Sequence, residues 1–194
     1  MTGPTVLTQK LVLHPAQPGF GAIDRTQMLQ GLQAIGLLGG TFSFRGSEAF
    51  LAGTELARLI SFLGCAPHFL TDAADQDKAG FYHLEVIGPV AEMRFIASRL
   101  TRPPGCPDCR RRIPDWQELI DQWRGNPSDS AWTCPDCGAI SRPHELNWRQ
   151  NAGFGRLFVE VHGVFPGEAV PSDQLMAQLR DLSGTPWRHF YFQE

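Results

Sequence analysis

Val6–His14 reads as an extended segment rich in apolar residues, and over Leu157–His162 the pattern has a period of two, Leu157, Val159 and Val161 interleaving with Phe158, Glu160 and His162. Successive side chains on a strand point to opposite faces, and both segments predict β-strands, the second with an apolar residue on its other face as well. After Asp24 the period lengthens. Met28, Leu29, Leu32 and Ile35 recur at helical spacing, with Asp24 as the N-cap, Gly39-Gly40 as the stop and Thr41–Phe44 as the next strand. The same order returns near the C-terminus. Gly163–Val170 reads as a loop, Pro171-Ser172-Asp173 opens a helix, and Leu175, Met176, Leu179 and Leu182 lie on one of its faces. Ser183-Gly184-Thr185-Pro186 ends that helix, and Trp187–Phe192 reads as a strand. Each of these four apolar positions lies 147 residues after its counterpart in the first helix, which admits a strand–helix–strand unit occurring twice.

Between these units, Leu56, Leu59, Ile60 and Leu63 predict a helix over Thr54–Leu63, Phe81–Ile87 a strand, and Ala91–Arg99 a short helix. The sum is an α+β fold, a ferredoxin-like sheet-and-helix sandwich. Breakers at Pro103-Pro104-Gly105, Gly125-Asn126-Pro127 and Arg142-Pro143 mark where the chain leaves and re-enters the sandwich. Residues 1–101 and 150–194 are therefore expected to form the main domain, and residues 102–149 an insert.

Composition narrows the class. With 194 residues, 42% hydrophobic and 19% charged, the chain has the make-up of an ordinary globular protein rather than a disordered one. A net charge of −3 argues against a surface that binds polyanions all over. No apolar run reaches the length of a membrane span, and Met1-Thr2-Gly3-Pro4 lacks the basic and apolar regions of a signal peptide.

The insert holds four of the five cysteines, as two pairs: Cys106-Pro107-Asp108-Cys109 and Cys134-Pro135-Asp136-Cys137. Two intervening residues let a tight turn aim both sulfurs at one ion, and the 24 residues between the pairs are enough to bring the turns together. Four thiolates suit a single tetrahedral Zn²⁺ and leave no position for water or substrate, so Cys106, Cys109, Cys134 and Cys137 are the expected ligands of a structural zinc. The same donors also accept iron. The fifth cysteine, Cys65, has no evident partner. With a metal-type cysteine pattern and no export signal, the expected compartment is the cytoplasm.

Cys134-Pro135-Asp136-Cys137-Gly138 resembles the knuckle of zinc ribbons and rubredoxins. In that knuckle proline fixes φ after the first ligand, and glycine after the second permits a left-handed turn that directs N–H groups at sulfur. The first knuckle departs from the pattern, with Arg110 where glycine is favoured. The resemblance covers about 35 residues and implies a metal-binding module without implying any one activity.

Between the knuckles, Trp116, Leu119, Ile120 and Trp123 form a helical stripe over Asp115–Arg124, suited either to packing the module or to an exposed aromatic face. Arg110, Arg111 and Arg112, with Arg102, Arg142 and Arg149, make this the most basic part of the chain. They serve either to balance the thiolate charge or, with Trp132 or Trp148, to contact RNA or DNA. Cys65 and His68 are three apart, a spacing open to a nucleophile pair or to a buried thiol. His83 with Glu85, and Glu160 with His162, would each share a strand face, and adjacent strands would join them into a metal or acid–base site. No nucleophile elbow, kinase, zinc-protease or dinucleotide motif is present. The expected role is a non-catalytic adaptor or regulatory protein with a protein partner. The alternatives are nucleic-acid binding through Arg110, Arg111 and Arg112, and an enzyme with a His/Glu site on the sheet.

Overall fold

The structure, a computed structural model, describes residues 9–63, 72–75, 81–127 and 130–194. Cys65 and His68, and the start of the first expected strand, lie outside them. The strands are β1 (Gln9–Pro15), β2 (Leu38–Phe44), β3 (Ser47–Ala52), β4 (Ile60–Phe62), β5 (Leu84–Ile87), β6 (Arg94–Ala97), β7 (Trp132–Thr133), β8 (Ile140–Ser141), β9 (Ala152–Gly155), β10 (Phe158–His162), β11 (Ala169–Pro171) and β12 (Trp187–Gln193). The helices are α1 (Arg25–Ala34), α2 (Leu56–Leu59), α3 (Trp116–Gly125) and α4 (Asp173–Ser183). Six strands form one antiparallel sheet in the order β12-β1-β10-β5-β3-β2, with three two-stranded sheets beside it. The fold is α+β.

Alternation sorts the sheet into two faces. Leu11, Leu13, Leu84, Val86, Val159 and Val161 point to one side, where Met28 and Leu32 of α1 and Leu175 and Leu179 of α4 close the main core. The helix ends follow the local chemistry. Asp24 accepts the N–H groups of Thr26 and Gln27, Ser172 accepts that of Leu175, and Gly184 takes the left-handed conformation that closes α4.

Val12, Phe158 and Phe190 point to the second face, where Ile96 of β6 packs on them. A Cβ on Gly153 of β9 would lie 2.5 Å from the Phe190 ring and 2.9 Å from the His14 imidazole, so glycine here permits β9 to lie close against β1 and β12. Beyond β9, Ile113, Trp116, Leu119, Ile120, Trp123, Leu146 and Trp148 form a second buried cluster with Ala152 and Phe154. The α3 stripe is therefore packing rather than an exposed aromatic face. The cluster draws on residues from both sides of the expected boundary at 149/150.

Several elements differ from the sequence reading. Ala91–Arg99 is not helical; β6 pairs with β9, and Met93, Phe95 and Ala97 pack at every second position against the second cluster. The helix expected over Thr54–Leu63 is confined to Leu56–Leu59, because Ile60–Phe62 pairs with β11 inside the segment expected to be a loop. Gly36, at φ +73°, and not Gly39-Gly40, follows the end of α1; the latter pair lies within β2. The strand–helix–strand order does occur twice, but with unequal spacing. In the main sheet β10 and β12, the strands before and after α4, bracket one strand, β1, with β11 of a separate sheet intervening in the chain, whereas β1 and β2 around α1 bracket three. No helix among the described residues is long and apolar enough to cross a membrane.

Candidate metal centre

The two cysteine turns are built alike. The N–H of Arg110 bonds to the Cys106 carbonyl and that of Gly138 to the Cys134 carbonyl, while Cys106 and Cys134 donate to the carbonyls of Arg111 and Ala139. Gly138 has φ +74° and Arg110 φ +65°, so arginine occupies the left-handed position that glycine fills in the second turn. Arg111 reaches across and pairs with Asp136 of the other knuckle.

All four sulfurs lie within 4.8 Å of one another, with Cys106–Cys137 at 3.7 Å and Cys109–Cys134 at 3.6 Å. These separations far exceed the ~2.05 Å of a disulfide. They match the edge of about 3.8 Å expected for a tetrahedron with metal–sulfur bonds near 2.3 Å. Cys106 and Cys134 are buried, and Cys109 and Cys137 are exposed. The sulfurs pull one another's ionisation in opposite directions, hindering it at Cys109 and assisting it at Cys134. At Cys109 an N–H bond from Arg111 is outweighed by desolvation and the neighbouring sulfurs, which push the thiol up to about 12. At Cys134 desolvation is outweighed by the N–H groups of Cys137 and Asp136, which hold the thiol at about 7. A bound cation removes this conflict, because it stabilises every thiolate at once.

Where this module meets the sheet there is a cleft of about 400 Å³, lined in part by His14, His144, Arg149, Gln150, Arg188 and His189. Arg149 and Gln150 have φ of +51° and +58°, two consecutive non-glycine residues in the left-handed region. Side-chain and main-chain bonds hold them there: Arg149 donates its N–H to Asn147 Oδ1, its carbonyl accepts from Asn151 Nδ2, and Tyr191 N–H bonds to the Gln150 carbonyl. Burial lowers the pKa of His144 and His189, and burial drives that of His14 down to about 4 against the raising effect of its bond to the Pro15 carbonyl. The formal positive charge of the cleft therefore comes from Arg149 and Arg188, both exposed.

The other expected residues fall into two groups. Arg110 and Arg112 are exposed, but Trp148 is buried with its indole N–H on the Pro143 carbonyl, and Trp132 shares a small cleft with Asp115 and Glu118. The structure thus withholds one of the two indoles expected for base stacking and sets the arginines Arg111 and Arg112 and the acids Asp115 and Glu118 beside the other. His83, Glu85, Glu160 and His162 come together on the second face of the sheet, through the pairing of β5 with β10. Their carboxylates are held below the usual range, Glu85 chiefly by His83, and Glu160 by His162 and Lys10 in spite of desolvation. Burial lowers the His83 pKa.

The sequence reading missed Lys10 and the cleft residues Arg188, His144 and His189. Lys10 carried a signal, since it alternates with Val12 and His14 and so shares a strand face with them. The cleft residues carried none, because only the docking of the module brings them together. Comparison with known proteins gives no match: no family pattern fits the chain, and no curated protein or solved structure is similar to it.

Proposed function

We propose that Cys106, Cys109, Cys134 and Cys137 hold one structural Zn²⁺, and that the chain is a non-catalytic adaptor or regulatory protein of the cytoplasm. The zinc module and the sheet wall the cleft at which a partner protein is engaged. The observation that carries this reading is the closed set of four sulfurs at tetrahedral spacing, held by two turns of the same hydrogen-bond pattern. Four thiolates exclude a fifth ligand, so the metal fixes the module's shape rather than acting on a substrate. A reducing compartment keeps such thiols available to the ion. Arg149 and Arg188, exposed on the cleft, suit an acidic segment of the partner.

Elemental analysis of the full chain is expected to give one equivalent of zinc that is lost in Cys134→Ser; an equivalent of iron lost in that variant would replace the zinc assignment. Capture from native lysate, with and without nuclease, tests the partner. The expected result is a stoichiometric protein that survives nuclease and is lost in the Arg149→Glu/Arg188→Glu variant. Partners that vanish with nuclease, and whose binding weakens steeply with salt and depends on Arg110 and Arg112, would replace this reading with nucleic-acid binding.

A further inference from the structure

Strand pairing brings two histidines and two glutamates to one patch of the second sheet face. Glu160 of β10 lies directly opposite Glu85 of β5, and one step along, His162 N–H bonds to the His83 carbonyl. Two carboxylates facing each other across a ladder repel, so the pair calls for positive charge nearby. Lys10 supplies part of it. Its Nζ is 2.6 Å from Glu160 Oε2, and the Glu160 side chain is only 1% exposed. That ion pair is neutral as a unit, which leaves Glu85, His83 and His162, the last also 3.2 Å from Glu160 Oε2, as the candidate donors.

These three are arranged as a set. His83 Nε2 lies 3.5 Å and His162 Nε2 3.9 Å from Glu85 Oε1, and the imidazole rings stack at 4.4 Å. All three donor atoms fall within 4.8 Å of one another. Donors about 2.1 Å from one ion stand roughly 3.0–3.4 Å apart in octahedral or tetrahedral geometry, so small side-chain rotations close the set on a metal. His83 gives an independent sign. Its side chain is 5% exposed, yet neither ring nitrogen has a hydrogen-bond partner of good geometry among the described residues. A buried imidazole whose ring nitrogens make no well-formed hydrogen bond is unusual in a folded protein, and a metal ligand is one of the few roles that explains it. Phe42, Phe44 and Phe81 surround its ring at centroid distances of 6.3, 4.1 and 5.6 Å, an apolar shell that strengthens an ion's hold on its ligands.

We infer that His83, Glu85 and His162 form a second metal site, for a divalent first-row transition ion such as Zn²⁺ or Fe²⁺. The site is independent of the four cysteines and differs from them in kind. Two imidazoles and one carboxylate leave at least one coordination position for water or a small ligand, the pattern of catalytic rather than structural centres. Glu160 Oε2 lies 3.2 Å from His162 Nε2, so this carboxylate holds the ring until the ion takes the nitrogen, and it then remains paired with Lys10. Glu85 and His162, with side chains 24% and 14% exposed, form the open side of the site.

The test is titration of the full chain with Co²⁺, followed by calorimetry and visible absorption. The expected result is a second equivalent whose spectrum lacks thiolate charge transfer and which persists in Cys134→Ser. Its affinity should fall at least about a hundredfold in Glu85→Gln and in His162→Ala. Glu85 is partly exposed, so its variant keeps the test open should His162→Ala disturb the sheet. Saturation at one equivalent, through the cysteines alone, would overturn the site. So would a second equivalent that neither substitution weakens, which would mark adventitious surface binding.

Discussion

At the scale of single residues, the four cysteines were legible because spacing alone dictates what a short turn can ligate. Their environment was not. The sequence marked Arg110 as an oddity, and the structure shows its consequence: the same turn as the glycine knuckle, taken by a residue with a Cβ at φ +65°. The left-handed conformation costs a non-glycine residue roughly 1 kcal/mol. Arg110 is exposed and its side chain makes no ion pair among the described residues, so nothing visible offsets that cost. Arg110→Gly is therefore expected to stabilise the metal-loaded module by about 0.5–1 kcal/mol. A rise in the denaturation midpoint of the tryptophan signal reads this directly. An unchanged or lower midpoint would show that the arginine side chain contributes to the turn itself. The His83–Glu85 and Glu160–His162 pairs were equally visible as residues, but their union was not. Period two places each pair on a face, while the register that sets the pairs side by side is a long-range property.

At the scale of elements, the long amphipathic helices and the outer strands read correctly, since α1 and α4 carry a full apolar stripe and side-chain caps. Short segments failed for a physical reason. Met93, Phe95, Ile96 and Ala97 fit a helix turn or a strand equally well, and only pairing with β9 decides. Leu56, Leu59, Ile60 and Leu63 carry a helical pattern, yet Ile60 adopts φ −125° and joins β11 while Leu63 stays exposed. Gly53 shows how tightly these short elements are tied. Its N–H bonds to the Leu37 carbonyl, and a Cβ there would lie 2.1 Å from the Gly36 carbonyl oxygen, a backbone atom that cannot swing aside. Gly53→Ala is expected to cost about 1–3 kcal/mol by overpacking. Gly40→Ala, with nothing within 4 Å of its Cβ, should stay within about 0.5 kcal/mol. Equal midpoints for the two variants in urea would show that the Gly36–Gly53 contact is slack.

At the scale of the whole molecule, β1 runs beneath both candidate sites, since Lys10 reaches the His/Glu cluster and His14 lines the cleft on the same face, four residues or ~13 Å apart. The main core and the aromatic cluster beyond β9 differ in what holds them. The main core is a large apolar interior of sheet and helices, whereas the aromatic cluster is small and sits on the metal module. A small apolar cluster contributes little stability alone, while a structural zinc contributes on the order of 10–16 kcal/mol of binding energy to folding. Removing the metal should therefore dissolve the second cluster and spare the first. Trp116, Trp123 and Trp148 belong to the second cluster and Trp187 to the first, so the tryptophans report mostly on the module. On treatment with a chelator, or in Cys106→Ser, near-ultraviolet tryptophan dichroism is expected to collapse while the far-ultraviolet sheet signal persists. A separate cooperative transition should remain at higher denaturant. Loss of both signals in one step would instead mean that β6 and β9, which contribute Phe95 and Phe154 to the second cluster and lie against the sheet, bind the two cores into a single cooperative unit.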